Sequence, residues 1–160
     1  EYEGNSLANG DSPFAPIYGN GVYRDTDHSL LIKNQGSTDV VVFLVSLDNN
    51  RILRNEYVRA KSTFNMTKIP NSTCYVKYYY GENWNPTRKT KNIVTGGFDN
   101  NEQFIVSDNL NDIFTFEVEV RGNYIYSNQY EITLETIISE GNAMSRENIS
   151  ASDFFDTMED

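Results

Sequence analysis

Residues 40–45, Val40-Val41-Val42-Phe43-Leu44-Val45, form an unbroken apolar run dominated by β-branched side chains. β-Branching favours extended backbone, and the run has a strand's length rather than a helix's. A strand with one wet face alternates apolar with polar residues, so continuous apolarity marks a strand covered on both faces, placed centrally in its sheet. Leu30 to Lys33 precedes it across the turn-forming Asn34-Gln35-Gly36-Ser37-Thr38-Asp39, which predicts a hairpin.

Downstream, Asp48-Asn49-Asn50 turns the chain into Arg51 to Val58, Thr63 to Ile69 follows Lys61-Ser62, and Pro70-Asn71-Ser72 precedes a strand from Thr73 to Tyr80. Residues 81–101 read as a long loop carrying Trp84, Pro86, the basic Arg88-Lys89-Lys91 and Gly96-Gly97. Such an excursion exceeds ordinary connections and points to a binding loop or to packing across a sheet edge. The clearest alternation is Phe114, Phe116, Val118 and Val120 against Thr115, Glu117, Glu119 and Arg121, and its expected antiparallel partner is Tyr130, Ile132 and Leu134.

Residues 1–28 are Gly-, Asn- and Asp-rich with scattered apolar anchors at Phe14, Ile17, Tyr18 and Tyr23, and read as an irregular lead-in packed on the core. Residues 29–138 form the body, and 139–160 a tail or short helix. Seven or eight short strands with frequent Gly/Asn turns predict one all-β domain, an antiparallel β-sandwich of the Ig-like or transthyretin-like kind, with a barrel as competitor.

The 160 residues, 38% hydrophobic and 13% aromatic, suffice for one core. A formal charge of -10 repels a phosphate backbone, so nucleic acid is not expected as a partner. No segment approaches the roughly 20 apolar residues that cross a bilayer as a helix. The chain opens with Glu1 rather than Met, which fits removal of a leader, a tag or an upstream domain; in the first case the expected destination is periplasmic, cell-surface or secreted. Sequons at Asn65, Asn71 and Asn148 are weak signals in an Asn-rich chain.

His28 is the only histidine and Cys74 the only cysteine. Histidine-dependent nucleophilic catalysis would have to use His28, whereas a free cysteine at a strand start is ordinarily a small buried hydrophobe. Gly10-Asp11-Ser12 lacks the strand-to-helix context of a nucleophile elbow and reads as a turn. Glu117/Glu119 and Glu131/Glu135 share strand faces, as paired glycosidase carboxylates could, and as any wet acidic face does. Asp99-Asn100-Asn101-Glu102 and Asp108-Asn109-Leu110-Asn111-Asp112 offer oxygen ligands without the spacing of a helix-loop-helix calcium site. No catalytic residue, metal site or cofactor is assigned.

Tyr75, Tyr78, Tyr79, Tyr80 and Trp84 make the densest aromatic group, beside Asn83, Asn85 and Arg88. Amphipathic rings with amide neighbours suit sugar stacking or protein anchoring, so Tyr79, Trp84, Asn83, Asn85 and Arg88 are the candidate binding residues. The competing reading places the same rings in the core and at its rim.

The succession Asp39-Val40-Val41-Val42, Arg54-Asn55-Glu56-Tyr57-Val58-Arg59-Ala60, Ile69-Pro70-Asn71-Ser72-Thr73-Cys74-Tyr75 and Tyr80-Gly81-Glu82-Asn83-Trp84-Asn85-Pro86 resembles a domain of unknown function in Bacteroidetes proteins. With Gly10-Asp11-Ser12-Pro13-Phe14 and Gly96-Gly97-Phe98, the resemblance spans most of residues 9–138. Lys61 to Tyr80 separately resembles carboxypeptidase-regulatory and transthyretin-like sandwiches, whose Ile-Pro-x-Gly-x-Tyr turn here carries Ser72 in the glycine place. The resemblance implies a sandwich with a noncatalytic accessory role and no catalytic residue.

The expectation is a noncatalytic bacterial recognition module binding a protein or glycan. The alternatives are a structural spacer or assembly domain, its aromatic patch filled by Phe14 to Tyr23, and lastly a hydrolase using loop carboxylates.

Overall fold

In the computed structural model, β2 (Asp39–Ser46) is buried along its whole length. It lies between β3 (Ile52–Val58) and β5 (Ser72–Asn85), antiparallel to both. The structure describes residues 1–107, 113–135, 146–148 and 150–156. Beyond β5 lies β8 (Gly97–Ser107), then β13 (Arg146–Asn148), while β9 (Phe114–Phe116) pairs with the first residues of β5, completing a six-stranded antiparallel sheet.

A second sheet has the order β12-β1-β4, with β1 (Ser29–Asn34) antiparallel to β4 (Ser62–Thr67) and parallel to β12 (Gln129–Leu134). Leu30, Ile32, Met66 and Leu134 of this sheet meet Val40, Val42, Leu44, Val76, Tyr78 and Ile105 of the larger one in a single apolar cluster. The fold is an open all-β sandwich and not a closed barrel.

The other face of the large sheet, bearing Val41, Phe43, Val45, Tyr57, Tyr79 and Phe104, is covered by the ends of the chain rather than by a third sheet. Leu7, Phe14 and Tyr18 come from the lead-in, and Phe154 and Phe155 from α2 (Ala151–Asp156). Even-numbered residues of β2 therefore enter the sandwich and odd-numbered ones meet the chain ends, which accounts for the unbroken apolarity of residues 40–45. Backbone bonds from Gly10 N–H to Tyr57 O, Tyr57 N–H to Asp11 O and Val22 N–H to Leu53 O, each 2.8 Å, lash the lead-in along β3 and occupy its open edge. Within the lead-in, α1 (Ala15–Tyr18) forms one short turn begun by Pro16.

Four expectations need correction. The described residues hold thirteen strands rather than seven or eight, several of only two or three residues. β1 and β2 are not a hairpin: their apolar faces meet across the core, which places them in different sheets. The segment 114–121 does not pair with 129–134. It divides into β9, which joins β5, and β10 (Glu119–Arg121), which pairs only with β11 (Tyr124–Tyr126), freeing β12 for parallel pairing with β1. Residues 81–101 are not a loop: β5 runs to Asn85, β6 (Lys89–Thr90) and β7 (Ile93–Val94) form a small hairpin, and β8 starts at Gly97.

Candidate functional site

The distal half of the β5/β8 pair carries few apolar residues, and its side-chain amides do the holding. Asn83 Nδ2 donates to Asn100 Oδ1 (2.6 Å), Asn85 Nδ2 lies 3.2 Å from both carboxylate oxygens of Asp99, and Asn101 Nδ2 donates to Glu82 (2.8 Å). A register shift falls between Tyr80 and Glu82, with Asn83 and Asn101 at positive φ, a conformation asparagine tolerates. The Asp99-Asn100-Asn101-Glu102 stretch is thus a strand with cross-strand partners rather than an irregular ligand loop. Residues 108–112, the second oxygen-rich stretch, lie outside the described residues.

Tyr79 and Trp84, the two rings assigned to recognition, point inward at 2% and 1% exposure. Trp84 packs edge-on against Phe98 (4.9 Å between centroids) and Tyr57 (5.6 Å), and Tyr79 stacks on Phe104 (4.7 Å, 9° between planes). The lead-in seals this end of the sheet: Trp84 N–H donates to Asn5 O (3.0 Å) and Asn5 Nδ2 to Trp84 O (2.7 Å). A ring so enclosed cannot stack on a sugar. Asn83 and Asn85 are partly exposed, yet their side chains are engaged: Asn83 Oδ1 accepts from Gly4 N–H (2.8 Å), and Asn85 Oδ1 from Thr87 N–H (3.0 Å) and Thr87 Oγ1 (2.6 Å).

Arg88 remains at the surface. Its guanidinium donates to Phe98 O and pairs with Glu102 at 3.1 Å, and its own carbonyl accepts from Thr95 and Gly96 N–H. Glu102 also accepts from the Tyr79 hydroxyl (2.5 Å), which in turn accepts from Phe98 N–H (2.8 Å). Burial, and then the Glu102 charge, hold the Tyr79 phenol far above its ordinary range, so it stays a neutral donor. These groups line a cleft of about 310 Å3 between the β6/β7 hairpin and α2, walled by Lys89, Thr90, Lys91, Gly97, Phe104, Ser152 and Phe155. Three basic side chains thus stand together on a chain of net charge -10. Cations, hydroxyls and an aromatic wall can hold a carboxylate-bearing group, and the carboxylate of the lining, Glu102, is engaged by Arg88 and by the Tyr79 hydroxyl.

The other chemical candidates are structural. His28 is fully buried, its Nδ1 accepting from Asn128 N–H (3.0 Å) and its Nε2 donating to Asn71 Oδ1 (2.7 Å), so it staples the end of the lead-in to two turns. Cys74 is buried with Ser72 Oγ at 3.2 Å, and burial pushes its thiol up to about 11, which keeps it protonated. Glu131 pairs with Lys33 at 3.0 Å, and Glu119 with Arg121. Among the described residues no three His, Cys, Asp or Glu side chains gather as metal ligands.

Sequence reading missed the roles of Glu102 and Lys77. Lys77, 1% exposed, sits beneath α2 and donates to Phe154 O at 3.2 Å. A lysine within Val76-Lys77-Tyr78-Tyr79 signals nothing until the covering segment is known. No family model matches this chain, and no curated protein or solved structure matches it.

Proposed function

We infer that the chain is a noncatalytic β-sandwich module that recognises a protein or glycan partner through carboxylates, held at the cleft beside Arg88. The carrying observation is the gathering of Arg88, Lys89 and Lys91 around a concave site on a strongly acidic chain. With Arg88 paired to Glu102, Lys89 and Lys91 supply the local positive field that draws an anionic group to this site. The employment of His28 and Cys74 in packing supports the noncatalytic part, and the resemblance of Lys61 to Tyr80 to carboxypeptidase-regulatory and transthyretin-like sandwiches supports the accessory role. Calorimetric titration against acidic peptides and uronate-containing glycans tests this reading. Binding is expected to weaken with salt and to be lost in the Lys89→Glu/Lys91→Glu variant; binding indifferent to that variant removes the site.

A structural or assembly domain is the second reading, favoured by the enclosure of Trp84 beneath Phe14. Silence of the wild-type chain across both ligand panels would favour it.

A further inference from the structure

The hairpin of β10 and β11 stands outside both sheets of the sandwich, and all its residues from Glu119 to Tyr126 are exposed. Val120, Tyr124 and Ile125 are 67%, 68% and 71% accessible, and Tyr126 46%. An isolated two-stranded ribbon is marginal in water, and this one holds apolar side chains in solvent. Natural edge strands are commonly blunted by lysine, proline or a bulge; residues 119–126 contain neither lysine nor proline, and their register is regular.

The register directs the open edge. The two-residue connection Gly122-Asn123 makes Arg121 and Tyr124 the hydrogen-bonded closing pair, so one residue back the N–H and C=O of Val120 point away from β11. No described strand pairs with that edge. On one face of the ribbon lie Val120 and Ile125, and on the other Glu119, Arg121, Tyr124 and Tyr126.

We propose that β10 pairs antiparallel with β10 of a second copy of this chain about a two-fold axis at Val120, forming a four-stranded intermolecular sheet. The sequence around Val120 is self-complementary in charge. Across the axis Val120 exchanges both backbone hydrogen bonds with its counterpart, while Glu119 faces Arg121 and Arg121 faces Glu119. Parallel in-register pairing would set like charges side by side. Ile125-Val120-Val120-Ile125 then forms one continuous aliphatic row. The opposite face carries rows of tyrosine, acid, base and tyrosine, an arrangement already begun within one copy by the Glu119–Arg121 ion pair and by Arg121 lying 5.0 Å from the Tyr126 ring centroid. Three-residue strands bury little area, so the dimer is weak, with dissociation on the order of 10–100 μM.

Sedimentation equilibrium over a concentration series, at ionic strength about 0.15 M where the net charges are largely screened, tests this. A concentration-dependent dimer is expected. Glu119→Arg alone or Arg121→Glu alone should weaken self-association about tenfold or more, because each sets like charges across the axis. An equimolar mixture of the two variants should regain the dimer, since the two arginines of the first variant's β10 then face the two glutamates of the second's. All these positions are exposed, so folding is not at stake, and circular dichroism checks it. A chain that stays monomeric up to about 1 mM overturns the proposal, that being far above the stated range. A dimer insensitive to both reversals, or a mixture that fails to recover association, also overturns it. A monomer that binds zwitterionic lipid vesicles and loses that binding in Val120→Ser/Ile125→Ser would overturn it too, reassigning the hairpin to a lipid surface.

Discussion

Phe14 stands perpendicular to Trp84, with ring centroids 6.3 Å apart and planes at 90°. A residue from the irregular lead-in thereby closes the end of the large sheet over the only tryptophan. Phe14 also touches Phe43 (5.2 Å) and Phe155 (5.3 Å), joining lead-in, central strand and C-terminal helix in one aromatic cluster.

Phe14→Ala should therefore destabilise the chain by about 3–5 kcal/mol, the range for emptying a buried phenylalanine site. Urea unfolding gives the loss. The Trp84 emission should shift to the red and become accessible to acrylamide; unchanged emission would mean that the lead-in does not cover it.

Gly96 is packed against the same indole. Its φ is +88°, and an added Cβ would lie 2.6 Å from Trp84 Nε1. Gly122, at φ +62°, has open space around it. Gly96→Ala should cost at least about 2 kcal/mol and Gly122→Ala about 1 kcal/mol, the difference measuring the clash with Trp84. Equal losses by denaturant midpoint would refute the close approach.

Burial lowers Lys77 from its ordinary 10.5 to about 8. Below pH 8 both folded and unfolded states hold the proton, and the burial penalty is present in full. Above pH 8 the folded chain releases a proton that the unfolded chain keeps up to about 10.5, so stability rises with pH. The raised Cys74 thiol acts in the opposite sense from about pH 9, and the raised phenols of Tyr57 and Tyr79 do so above about pH 10. The rise should therefore be seen in thermal melts between pH 8 and 9, with a ceiling of about 3 kcal/mol for the lysine as a whole, and Lys77→Met should abolish it.

Arg54 and Glu56, 1% and 2% exposed, form a buried pair at 3.1 Å; Glu56 Oε1 has no hydrogen-bond partner, and Arg54 lies 3.7 Å over the Tyr23 ring. Desolvation raises the Glu56 carboxyl, partly offset by Arg54. Arg54→Met should cost about 3–5 kcal/mol by stranding the acid, and adding Glu56→Leu should recover a large part of it. A double variant no better than the single one would show that the acid was not the source of the loss.

Cys74 should resist alkylation in the folded chain at neutral pH and react promptly in urea, because its thiol is buried and protonated. Fast native labelling, read by mass spectrometry, would contradict that placement.

Local pattern carried the architecture where burial leaves a composition signature. Val40 to Val45 could be placed centrally because two covered faces leave no polar position in the run. Pairing partners were not legible. The Asn34 to Asp39 turn suits a hairpin, but β1 and β2 face each other across the core, and β1 instead takes the distant β12 in parallel. The strand character of residues 81–85 and 97–101 was hidden because amides and carboxylates hold it, and period-2 apolarity does not report such a ladder.

For the candidate site, the aromatic density around Tyr79 to Arg88 was legible in the sequence, and the fold decided which of those side chains face solvent. Of Tyr79, Asn83, Trp84, Asn85 and Arg88, Tyr79 and Arg88 line the cleft, Trp84 is buried, and Asn83 and Asn85 bond across to Asn100 and Asp99. Composition alone established an acidic chain with β-rich patterning and a scarcity of reactive groups, because those properties reside in each residue or its near neighbours. Whether Trp84 faces solvent or the core depends on Asn5, Phe14 and Phe98 arriving from remote parts of the chain. Such long-range closure is decided by how the whole apolar surface can be covered, and only the tertiary structure records that solution.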